Sequence, residues 1–206
     1  MKEQRGFSGM LKLGCTLAIF AAAACVMLAF VYSGTKTIID GRQQADMELA
    51  LKELFPDADS FEEAPDITSP DPAVTIESSY AALRDGKPVG VAIQLSRASY
   101  GGPIKILAGV SADGFIAGVK ILEHQDTPGL GANAASPSYF VDRAKGVTFY
   151  GQFAGKKADD PFEVQNDIAA ITASTVTSKA VADAVKAAGA GAAAWFAGKN
   201  TSGDEK

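Results

Sequence analysis

The sequence predicts an α+β fold: a single N-terminal transmembrane helix, then one domain with an antiparallel, hairpin-rich sheet and flanking helices. Three observations lead there. Leu13 to Thr35 carries no charge. Two alternating apolar runs flank Asp113-Gly114, a strong hairpin signal. An Ala-rich stretch from Val176 to Phe196 has helical periodicity. The chain has 206 residues, which suits one domain plus an appendage. A 47% hydrophobic composition supplies enough apolar material for a core.

The uncharged run spans roughly 34 Å as a helix, enough for the hydrocarbon core of a bilayer. Lys2, Arg5 and Lys12 precede it, so residues 1–12 are expected to stay in the cytoplasm and the rest to cross. Tyr32 sits where an interfacial aromatic belongs. A cleaved signal peptide would have a shorter apolar core. A lipoprotein site at Cys25 would usually have Leu where Ala22 stands, so an uncleaved anchor is expected. Cys15 and Cys25 are the only cysteines, and both lie in this run. The following domain therefore has no disulfide framework, cysteine nucleophile or Cys-rich metal site.

Against Glu3, the three N-terminal cations give residues 1–33 a net +2. The remainder then carries -7 of the total -5. An acidic domain repels phosphate backbones and argues against nucleic acid as a partner.

Residues 36–74 read as an amphipathic helix and an acidic connector. Ile39 to Phe55 places Met47, Leu51, Leu54 and Phe55 on one face. It is expected to continue from the membrane helix after a break near Gly34 or Gly41. Pro56 ends it. Asp57 to Ala73 is acidic, Pro-rich and aperiodic, and is expected to be solvated. The domain proper is expected over 75–198. Its strands should include Val89 to Leu95, Ile104 to Val110 and Phe115 to Leu122. Ser138 to Lys145 reads as a short helix. Val147 to Phe153 and Phe162 to Ile171 read as short strands or loops. In the Ala-rich helix, Val181, Val185 and Ala188 share a face. Gly189 and Gly191 are expected to break or fray it. Trp195 and Phe196 are read as anchors, and residues 199–206 as a polar tail. His124 is the only histidine. It reads as a structural residue or a contact of a nearby ligand, since no metal partners are evident.

One stretch concentrates small hydroxyl side chains at a helix start: Thr172, Ser174, Thr175, Thr177 and Ser178. Helix capping needs one such hydroxyl. A helix start can also hold an anion through its free N–H groups and dipole.

This cluster resembles the flavinylation motif of a family of FMN-binding domains. That family is shared by the G-type subunit of the Rnf electron-transport complex and the C-type subunit of the sodium-pumping NADH:quinone reductase. Its pattern is Ser/Thr-Gly-Ala-Thr, one residue, then Thr-Ser or Ser-Ser. The last Thr of the four is esterified to the FMN phosphate. Here Thr172-Ala173-Ser174-Thr175-Val176-Thr177-Ser178 matches, so the resemblance puts the ester on Thr175, with Ser174 or Thr177 as alternatives. The family has Gly and Ala where this chain has Ala173 and Ser174. It often has an acidic residue where this chain has Ala169, with Asp167 nearby but out of register.

A second stretch is similar to the Rnf G-type subunit in its order. Gly101-Gly102-Pro103-Ile104-Lys105 leads into the hairpin, then come Val119 to His124 and Thr127-Pro128-Gly129-Leu130-Gly131. In the family this last loop packs against the flavin. The resemblance thus implies a covalent FMN cofactor. Its site is Thr175, Thr172, Ser174, Thr177, Ser178, Thr127, Gly129, Leu130 and Gly131. No residue of this chain has a catalytic role of its own, and none binds metal.

The resemblance further implies a single-pass subunit of a bacterial cytoplasmic (inner) membrane, its C-terminal domain on the periplasmic side. Its partners would be the other membrane and peripheral subunits of an Rnf-type complex, a flavin transferase and membrane lipid. That complex moves electrons between ferredoxin and NAD, coupled to ion transport. No nucleotide fingerprint or Cys cluster is present, so NAD and iron-sulfur sites belong to other subunits. The alternatives are the C-type subunit of the quinone reductase, whose chains tend to be longer, and a tethered, non-redox scaffold whose Thr cluster is only a cap.

Overall fold

The structure, a computed structural model, describes residues 3–202. The chain divides into two units, Met1–Glu48 and Leu49–Lys206. The first unit is helical. It belongs to α1 (Glu3–Leu54), which has no break at Gly34 or Gly41. The apolar part of α1 is long and apolar enough to cross a membrane, and none of that window is buried. Leu17, Phe20, Leu28 and Phe30 are all exposed. Large apolar side chains turned outward all round a helix suit lipid rather than water.

The second unit is built on a five-stranded antiparallel sheet in the order β1-β2-β3-β4-β5. The strands are β1 (Ser60–Glu63), β2 (Val74–Arg84), β3 (Lys87–Ala98), β4 (Pro103–Ser111) and β5 (Ile116–Glu123). The expected hairpin turns at Gly114, which has the positive φ that such turns need. A second Asp-Gly pair, Asp85-Gly86, turns β2 into β3 with φ of 52° and 71°. The same sequence signal stood there.

The sheet is covered on both faces. On one, Val91, Ile93, Leu95, Ile104, Ile106 and Val110 pack with α2 (Thr175–Ser202) through Val181, Val185 and Ala188. On the other, the end of α1 brings Phe55 over small residues. A Cβ at Gly90 or Gly109 would meet the Phe55 ring, and one at Gly118 would meet Leu54. This double burial is why β3 reads as a continuous apolar run instead of alternating.

Both outer strands of the sheet are limited. β1 is four residues long and ends in Glu62 and Glu63. Beyond β5 the chain returns alongside: Gly155 donates to the Ile116 carbonyl and Ile116 to the Lys156 carbonyl, each at 2.8 Å.

Beyond the expected break in α1, four expectations need correction. The acidic stretch 57–73 contains strand β1, which pairs with β2 through Ser60–Leu83 to Glu63–Tyr80. Ser138 to Lys145 is not a helix. It holds β6 (Phe140–Asp142), which pairs with β7 (Val147–Thr148). There the Asp142 carboxylate accepts the Ala144 and Lys145 N–H groups, a local turn that competes with helix. Gly189 and Gly191 do not break α2, which runs to Ser202. Gly189 instead lets Ala158 approach: a Cβ there would fall 2.3 Å from the Ala158 carbonyl oxygen. The tail is helical through residue 202, and residues 203–206 lie outside those described.

Trp195 is buried and meets Phe196 edge-on at 5.0 Å, as anchors of α2 should. Phe149, Phe153 and Phe162 form a second aromatic group that fixes the long loop before α2. Arg97 on β3 ties that helix to the connector, with ion pairs to Asp183 at 2.7 Å and Asp71 at 2.9 Å. Lys105 pairs with Glu123 across β4 and β5 at 3.0 Å. That hydrogen bond, first among the causes, raises the Lys105 pKa above 10.5.

Candidate functional site

α2 begins at Thr175, at the end of a segment held by side chains from elsewhere. Gln152 brackets Ala169: its Oε1 accepts the Ala169 N–H at 2.8 Å and its Nε2 donates to the Ala169 carbonyl at 3.1 Å. The Ile171 N–H donates to Ser178 Oγ at 2.9 Å. The Thr172 N–H donates to the Tyr139 hydroxyl at 3.1 Å. Ser178 Oγ in turn donates to the Ser174 carbonyl. The backbone then turns at Ala173, which has φ of 59°. This is the left-handed region, where glycine is at home and alanine is strained. The related pattern has Gly at this position, and the geometry supplies the reason.

The turn aims the start of α2 into a cleft of about 500 Å³. Tyr100, Asp126, Thr127, Leu130 and Gly131 line one side, and residues 173–177 the other. The first N–H groups of a helix have no intrahelical acceptor, so this end can take an anion. Thr175 is exposed on the cleft wall, whereas Ser174, Thr177 and Ser178 are buried. Thr177 is 1% exposed, and its Oγ1 is buried without a hydrogen-bond partner. Gly131 packs directly on it: a Cβ there would fall 2.6 Å from Thr177 Oγ1 and 2.7 Å from Asp126 Cβ. Tyr100, Leu130 and Val176 expose apolar surface into the same cleft, at 78%, 42% and 55% exposure.

Of the residues singled out from sequence, the structure brings Thr127, Leu130, Gly131, Ser174, Thr175 and Thr177 to one cleft. Three others do not line it. Gly129, with φ of 78°, shapes the loop, and its carbonyl accepts Asn133 Nδ2. Thr172 acts through its backbone N–H and Ser178 through its side-chain Oγ, in the hydrogen bonds given above. His124 does not line the cleft, and its Nδ1 is buried and unpartnered. Sequence reasoning missed Tyr100, Asp126, Tyr139 and Gln152. They come from separate elements, and no spacing ties them to the Thr cluster. Only Tyr100, next to Gly101, and Asp126, next to Thr127, had neighbours that pointed to them.

These residues fit FMN. The cleft is of ligand size. It offers apolar and aromatic faces for a flat ring, and hydroxyls with a helix start for a phosphate. The buried, unpartnered Thr177 hydroxyl and the Cβ-free wall at Gly131 mark where a ligand group could be received.

The family described as FMN-binding domain matches residues 99–190, the span that contains this cleft. The family described as RnfG N-terminal region matches residues 1–54. The chain is 33% identical to the G-type subunit of the Na(+)-translocating ferredoxin:NAD(+) oxidoreductase complex of Acetobacterium woodii, over 89% of this chain and 92% of that one. It is 31% identical to the G-type subunit of the proton-translocating ferredoxin:NAD(+) oxidoreductase complex of Clostridium ljungdahlii, over 91% and 92%. Among solved structures, Shewanella oneidensis NqrC has a TM-score of 0.48 and 18% identity, over 71% of this chain and 73% of that one, a likeness too slight to bear on function. The chain belongs to the RnfG family, the G-type subunits of the ion-translocating Rnf oxidoreductase complexes.

Proposed function

We propose that this chain is the membrane-anchored flavin subunit of an Rnf-type complex, and that it holds FMN through a phosphoester on Thr175. The observation that carries the reading is the contrast within the hydroxyl cluster. Thr175 opens α2 and is exposed in the cleft, Thr172 is exposed but does not line the cleft, and Ser174, Thr177 and Ser178 are buried. A transferase can reach Thr175 within the cleft, and it cannot reach the three buried hydroxyls. The phosphate would lie where the helix start stabilises its remaining charge. Tyr100, Leu130 and Val176 would cover the ring. FMN supplies reversible electron uptake when attached; the protein supplies position and electrostatics.

The related subunits belong to ferredoxin:NAD(+) oxidoreductase complexes by name. We assign this chain the same setting, with electrons passing to and from neighbouring subunits and no complete turnover by the chain alone. The basic residues before the apolar helix support a cytoplasmic N-terminus and a C-terminal domain across the membrane. Maturation then needs a flavin transferase on the side where the domain lies.

The test is intact mass and in-gel fluorescence of the full chain co-expressed with a flavin transferase, beside Thr175→Ala. The expected parent gains the mass of one FMN less one water, fluoresces after denaturation, and loses both in the variant. Unmodified parent from cells with an active transferase would sink the attachment.

A further inference from the structure

Asp126 has no part in the reading above, yet its surroundings are unusual. It lines the cleft and is only 6% exposed. Its Oδ2 accepts the Ser99 hydroxyl at 2.6 Å and its Oδ1 accepts the Gly101 N–H at 2.7 Å. Both donors are neutral. Among the described residues, no cation forms an ion pair with it. Buried carboxylates ordinarily have a counter-ion, because leaving water without one is costly. No second acidic side chain lines the cleft, so a cation site is not built there.

The two groups bound by Asp126 bracket Tyr100 in the chain. The ring that lines the cleft is therefore carried on a turn whose both sides end on one carboxylate. On its other flank, Asp126 meets the Thr127–Gly131 loop: a Cβ at Gly131 would fall 2.7 Å from its Cβ and 2.8 Å from its Cγ. One side chain thus joins two segments that wall the cleft.

We infer that Asp126 is a positioning residue of the flavin site, whose buried, uncompensated carboxylate fixes the turn carrying Tyr100 and lowers the reduction potential of the flavin held in the cleft. The inference rests on the FMN reading given above. Its physical basis is that adding an electron beside a fixed negative charge is disfavoured, more so where water is excluded.

The experiment uses the full chain in detergent micelles, co-expressed with a flavin transferase. Intact mass reports FMN loading for each protein. Spectroelectrochemical titration gives the flavin potential, and flavin fluorescence reports the aromatic ring beside it, because a stacked tyrosine quenches. Asp126→Asn keeps the shape and removes the charge. Ser99→Ala keeps the charge and frees one side of the turn. Asp126→Asn is expected to raise the potential. Ser99→Ala is expected to leave the potential near that of the parent and to brighten the flavin. An FMN-loaded Asp126→Asn protein titrating at the parent's potential overturns the inference and leaves the cofactor reading intact. A parent without FMN overturns the cofactor reading itself. Should Asp126→Asn not fold, Ser99→Ala decides: fluorescence equal to the parent's removes the positioning role.

Discussion

Replacing Ala173 by glycine should stabilise this protein, against the usual direction of such a change. Alanine at φ of 59° sits in the left-handed region, which costs a non-glycine residue roughly 1–2 kcal/mol. Glycine removes that strain but has more freedom to lose from the unfolded chain, about 0.4–1 kcal/mol. The difference leaves a net gain of about 0.5–1 kcal/mol. Ala173 is exposed, so its methyl group adds little burial. Gly129 offers the mirror experiment. It has φ of 78°, and a Cβ there would meet nothing within 4 Å. Gly129→Ala should therefore cost about 0.5–1 kcal/mol through the backbone alone. Thermal melts of flavin-free protein in detergent, followed by near-ultraviolet circular dichroism, would read both. Each kcal/mol moves Tm by about 2–4 °C at this size, so the two variants should fall on opposite sides of the parent. Equal destabilisation of both would refute the left-handed assignment at Ala173, and with it the account of why the related pattern has glycine there.

Three further outcomes follow from the contacts described. Gly131→Ala puts a methyl group within 3 Å of Thr177 Oγ1 and Asp126. It should cost about 1–3 kcal/mol by overpacking and lower FMN loading, measured by denaturant melts and intact mass. Arg97→Ala breaks the pairs to Asp71 and Asp183 and should cost on the order of 1–2 kcal/mol, between the values for exposed and buried pairs. The Ala73 N–H, and after it Arg97, hold the Asp71 pKa below its ordinary 3.8. A depressed carboxylate contributes stability above the unfolded value and loses it as pH falls through the folded one. Melts below about pH 4 should therefore show a steeper acid loss in the parent than in Arg97→Ala. Finally, Gln152→Ala should speed hydrogen exchange at Ala169 while leaving Ile171, bonded to Ser178, protected. Equal change at both amides would mean that the segment opens as one piece.

The elements with strong local signals were legible. Asp113-Gly114 announced its hairpin because a positive φ is needed there and glycine supplies it. The start of α2 fell at the Thr cluster because small hydroxyls favour helix ends. What stayed hidden depends on distant partners. β1 is a strand only because β2 lies beside it, and Ser-Phe-Glu-Glu has no alternation to show it. Ser138 to Lys145 has helix formers only at its end; Tyr139-Phe140-Val141 favours a strand, and Asp142 diverts the backbone into a turn. At the site, the Thr cluster and the Pro-Gly-Leu-Gly loop were visible as motifs. Tyr100, Asp126, Tyr139 and Gln152 were not, because their roles exist only once four separate segments meet.

The limits placed on the sheet's outer strands bear on how this protein associates with others. Sheet extension needs an open row of N–H and C=O groups. Here one margin is four residues long and acidic, and the other pairs at its first residue, Ile116, with the chain's own return past Gly155. A neighbour, or a second copy of this chain, finds little backbone to zip onto at β1 or at the start of β5. Contacts at those places must then be made by side chains, where they can form and release without reordering a ladder of hydrogen bonds. The short, acidic β1 margin is likewise a poor seed for fibrils if the domain is ever released from its anchor.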